Sequence, residues 1–166
     1  MNQPASDAPV PTPGEELTSK ILAYVGSVSI GIVASINVVI AGVAIFTGNL
    51  IGAIGDVSAK TDGTASADLA ASAHHAALVA KLVAIGFALL GGLGFVAGAF
   101  IRRRRRHLFV PIALAITIAG ELGFSIWGGH FTSLDAIMIG CTLFAGFIWY
   151  RLPRTLPPQP AFSSRW

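Results

Sequence analysis

Few side chains in these 166 residues combine reactive chemistry with a setting that gives it meaning, and Glu121 comes first among them. It interrupts the apolar run Leu108–Trp127, roughly 20 Å from that run's start if the run is a helix rising about 1.5 Å per residue. An ionised carboxylate in hydrocarbon is costly, so Glu121 has to be protonated, paired or turned toward a polar interior. Lys81, near one end of a second apolar run, Ala77–Ile101, is expected at a compatible depth and is the natural ionic partner. Asn37, in the first run, or a serine offers a neutral hydrogen-bonding alternative. Glu121, Lys81 and Asn37 together read either as a site coupled to a proton or a substrate cation, or as a structural polar pair.

The histidines are His74, His75, His107 and His130. His74/His75 and His130 are expected on neighbouring helices at similar depth, where two imidazoles could bind a b-type haem axially or hold a metal. None lies well inside a span, so a polar interface is the simpler reading; no cofactor and no metal site is predicted. Asp135 is expected to face the positive end of a helix dipole. Cys141, the only cysteine, sits in an apolar run and permits no intramolecular disulfide. No CxxC, GxSxG, HExxH, phosphate-loop or dinucleotide fingerprint is present, and no enzyme is expected.

The elements that must position these residues follow from composition. The chain is 54% hydrophobic and 11% charged, with a mean hydropathy of +0.72, whereas a soluble domain carries about 25% charged residues. Its apolar residues fall in blocks long enough to cross a bilayer, which takes about 20 residues of helix. The expected fold is an all-α membrane protein, a four-transmembrane-helix bundle with spans at about 20–47, 77–101, 108–128 and 134–151. Residues 1–16, rich in proline and lacking the basic segment of a secretory signal, read as a disordered tail, 17–154 as the transmembrane domain and 155–166 as an irregular tail. Thr18 or Ser19 is the expected first cap, Gly48-Asn49 the expected first break, and Ala59–Asp68 a polar loop.

Five arginines, Arg102–Arg106, separate the second run from the third and cannot lie in hydrocarbon. Cations beside spans are retained on the cytoplasmic side. Placing both termini there puts Lys20, the five arginines, Arg151, Arg154 and Arg165 on that face, against Lys60 alone on the other. The net charge of +3 therefore reports topology and contact with anionic lipid headgroups, not nucleic acid. The run of five, more than topology needs, is expected to bind anionic lipid or an acidic partner surface. Trp127, Trp149 and Tyr150 fall at span ends, as interfacial aromatics do.

Small residues supply the packing signal. Gly94 and Gly98 form a GxxxG pair, and Ala23, Ser27, Gly31 and Ser35 recur at every fourth position of the first span. These two faces are expected to pack on each other, or one of them on another protein. The leading functional expectation is a non-catalytic subunit, anchoring or assembling a larger membrane complex with other membrane subunits. The alternative is a small proton-coupled transporter or channel-like oligomer using Glu121, and a further one is a b-type haem anchor using His74 or His75 with His130. The charge bias and the Ala/Gly/Arg-rich composition point to a bacterial inner membrane.

Overall fold

A computed structural model describes residues 12–60, 64–104, 107–129 and 131–152. The first helix, α1, spans Pro13–Ala59. It begins earlier than Thr18 or Ser19 because Thr12 closes a capping box with Glu15 and Pro13 occupies the first helical turn, where its missing N–H costs nothing. The expected break at Gly48-Asn49 does not occur, and α1 continues unbroken to Ala59. α2 spans Thr64–Arg102, α3 Phe109–Trp127 and α4 Ser133–Arg151. Asp135 belongs to a second capping box: Thr132 accepts from the Asp135 amide, and the Asp135 carboxylate accepts from the Thr132 amide at 2.7 Å. Arg105, Arg106, His130, and the tails 1–11 and 153–166 lie outside the described residues.

The α1–α2 hairpin is built on a seven-residue repeat of small side chains. Ser27, Ala34, Ala41, Gly48 and Gly55 on α1 face Gly98, Gly91, Ala84, Ala77 and Ala70 on α2, in antiparallel register. A Cβ added at Gly98 would lie 3.4 Å from the Ser27 carbonyl, and one at Gly91 3.0 Å from that of Ala34. Further out, Cβ atoms at Gly48 and Gly55 would come within 3.2 and 3.4 Å of the carbonyls of Ala77 and Ala70. Lipid gives no hydrophobic drive for helices to associate, so this backbone approach supplies dispersion instead. Gly48 is in the helix because the contact needs its lack of a side chain, which explains why it does not end α1.

Gly94 and Gly98 lie against α1, near Ala34 and Ile30. Gly31 and Ser35 do not join them. A step of four residues drifts by roughly 40° around a helix with 3.6 residues per turn, so a strict every-fourth stripe rotates out of the interface. Nothing lies within 4 Å of a Cβ built at Gly31, and exposed Ser35 donates back to the Gly31 carbonyl at 2.9 Å.

α3 packs on α2, α4 on α3, and α4 returns to α1, so α1 and α3 stand diagonally across a ring of four antiparallel neighbours. Their shared core includes Ile30, Val33, Ala97, Ile101, Val110, Leu114, Met138 and Ala145. α3 and α4, each of 19 residues, reach roughly 28 Å at about 1.5 Å per residue, close to the hydrocarbon thickness of a bilayer. With 47 and 39 residues, α1 and α2 are much longer. Because Phe124 of α3 meets Gly86 and Phe87 of α2, the far half of the α1–α2 hairpin projects past the α3–α4 turn by roughly 20 Å.

Candidate functional site

The polar centre of the bundle lies on its diagonal. Asn37 of α1 donates through Nδ2 to Glu121 Oε1 of α3 at 2.9 Å, and the two residues are 0% and 1% exposed. Glu121 is one of three buried polar residues on a single face of α3, with Thr117 and Ser125 four positions to either side. Thr117 donates to the Ala113 carbonyl and Ser125 to the Glu121 carbonyl, each at 2.9 Å. Thr142 of α4, also buried, donates to the Met138 carbonyl. Back-bonding of this kind satisfies hydroxyl protons within each helix and leaves the oxygens as acceptors. One turn beyond Glu121, Phe124 stacks on Phe87 with ring centroids 4.4 Å apart, closing the site toward the α3–α4 turn.

Thr117, Ser125 and Thr142 are absent from the sequence expectations. The four-residue spacing of Thr117, Glu121 and Ser125 is legible in the chain and would have identified the α3 stripe. Nothing in the sequence marks Thr142, whose inward direction depends on how α4 is rotated.

Lys81 does not reach Glu121. It is exposed and stands beside Gly48, which lies about 16 Å further along α1 than Asn37 at about 1.5 Å per residue. The antiparallel register decides this, by bringing Lys81 level with the projecting part of α1. There Lys81 lines a groove of about 470 Å³ with Asn49, Asp56 and His74. His74 Nε2 is 3.6 Å from Asp56 Oδ1, with both side chains more than half exposed. His75 is exposed on the same segment. Among the described residues, no three of His, Cys, Asp and Glu gather to hold a metal ion. His107 accepts the Phe109 N–H through Nδ1 and stands 5.5 Å from the Phe100 ring.

At the opposite end, Arg102, Arg103 and Arg104 meet Lys20 and Tyr24 of α1 around an open recess of about 210 Å³. Lys20 is paired with Glu16 at 2.7 Å. The chain matches no family, no curated protein and no solved structure in three separate comparisons. Fold and site together define a class: a multi-pass helical membrane protein, with four helices long and apolar enough to span and a carboxyl–carboxamide pair at its centre.

Proposed function

We propose that the protein is a non-catalytic subunit of a larger complex in a bacterial inner membrane, with both termini cytoplasmic. The observation that carries this reading is the projecting half of the α1–α2 hairpin. Phe46, Leu50, Ile54 and Val57 are 71, 54, 51 and 67% exposed there, beyond the level at which α3 and α4 cover α1. Exposed apolar side chains along the spans are what lipid covers. A row carried past the bilayer-matched length of α3 and α4 needs another cover, and a helical rod with glycine-tight packing holds it out as a fixed docking element. A partner membrane subunit with an apolar face at the same height is the fitting occupant. Purification in mild detergent tests this. The intact protein should carry stoichiometric partner subunits, and Leu50→Ser with Ile54→Ser should release them while the protein itself still inserts. Recovery of an isolated homo-oligomer from native membranes would sink the proposal.

A second reading rests on a different observation. Asn37 Oδ1 is buried and accepts no hydrogen bond among the described residues. A proton on Glu121 would supply the missing donor and close two reciprocal bonds between carboxyl and carboxamide, making the pair a proton-holding element. If that element couples transport, Glu121→Gln should abolish proton flux in reconstituted vesicles. For a subunit that only anchors, the same variant retains assembly and partner binding.

A further inference from the structure

We propose that the start of α1 and the end of α2 form a specific site for the phosphate headgroup of an anionic phospholipid. Lys20 and Tyr24 lie one turn apart on α1, and Arg102–Arg104 close the recess from α2. Among the described residues that line the recess there is no carboxylate, and Glu16 beside it pairs with Lys20. That leaves the guanidiniums of Arg102 and Arg103, both exposed, to meet a phosphodiester. Guanidinium forks suit phosphate oxygens better than a point-charge ammonium does, because they donate two parallel bonds.

The recess is built, not merely a crowding of charge. Arg104 adopts φ 53°, the one non-glycine residue with positive φ among the described residues. This left-handed step ends α2 in a manner that glycine or asparagine takes more readily, and it returns the Arg104 side chain toward α1. There Arg104 Nη1 donates to Ser19 Oγ at 3.5 Å, and Ser19 is only 2% exposed. Arg104 is thus tied to the rim, while Arg102 and Arg103 stay open to a ligand.

The flanking surface selects a lipid over a free anion. From Tyr24 the exposed row on α1 continues to Val28, one turn deeper into the span, and from Arg102 the exposed row on α2 continues through Ala99 to Phe95. Tyr24, Val28 and Phe95 are 58, 42 and 50% exposed. The glycine at position 31 leaves the same side of α1 without a side chain. A phosphate held in the recess therefore has an apolar channel beneath it at the depth of acyl chains. An inorganic anion would use only the upper part.

Native mass spectrometry of the full chain, extracted from vesicles of phosphatidylcholine with a minor share of phosphatidylglycerol, tests the site. The wild type should retain phosphatidylglycerol in preference to phosphatidylcholine and should melt at a higher temperature when it does. Lys20→Gln with Arg102→Gln and Arg103→Gln should lose both effects. Arg151→Gln with Arg154→Gln and Arg165→Gln removes the same charge elsewhere and should retain them. If the first triple variant fails to insert, Arg103→Glu alone, at an exposed position, should show the loss. Equal retention by the two triple variants, equal loss by both, or no preference in the wild type overturns the proposal. So does inorganic phosphate that displaces the lipid or matches its stabilisation, since that outcome identifies a free-anion site.

Discussion

Asn37 and Glu121 are each alone of their kind in an apolar span, and each is tolerable there because of the other. The bond crosses the diagonal of the ring, so it links two helices, α1 and α3, that are not ring neighbours. Leaving a buried polar group without its partner costs about 1–3 kcal/mol. Asn37→Leu should therefore lower stability by about that amount, read as a drop in the thermal unfolding midpoint in detergent. Glu121→Gln should stay near wild type, since the new amide oxygen accepts from Asn37 Nδ2 as the carboxyl oxygen does. Both residues stand out in the sequence, since each interrupts an apolar run. Their pairing was one of several options, because depth along two helices cannot be compared until the register between them is known. Lys81 shows the same limit: its distance from the arginines suggested a match in depth with Glu121, while the register sets it against Gly48.

For the α1–α2 hairpin, the determining feature is spacing and not the number of glycines. Positions seven apart stay on one face, whereas a run of positions four apart rotates away, so Gly48 and Gly55 meet backbone carbonyls of α2 while Gly31 and Gly42 meet nothing within 4 Å. Gly91→Ala would set a methyl 3.0 Å from the Ala34 carbonyl and 2.9 Å from Val38 Cγ2. It should destabilise by about 1–3 kcal/mol, the usual range for overpacking a tight contact. Gly31→Ala and Gly42→Ala meet nothing within 4 Å and should be neutral or stabilising by up to about 1 kcal/mol, as alanine is the better helix former. Chemical or thermal unfolding of the three variants side by side checks the contrast. A fall in stability at Gly31 equal to that at Gly91 would show that the register is wrong.

At the scale of the whole molecule, the helices are of unequal length. α3 and α4 match a bilayer, while α1 and α2 exceed it and carry apolar surface outward. Under the proposed topology, the hairpin tip projects on the side opposite the termini. A cysteine placed at Lys60, in a background with Cys141 replaced, should then react with an impermeant maleimide from outside the cell, and one placed at Ser164 should not. Labelling of both from the same side would exclude it.

The sequence by itself determined the class of the protein and the number of its spans. Hydrocarbon thickness and the cost of burying charge act on stretches of chain that can be read one at a time. It also marked Glu121, Asn37 and the arginine run, because each is anomalous in its immediate surroundings. Tertiary structure decided what each of them meets. Helix register and rotation arise from contacts between segments far apart in the chain, and these joined Glu121 to Asn37, turned Gly31 and Ser35 outward, carried Lys81 to the projecting groove and set Lys20 beside Arg102–Arg104.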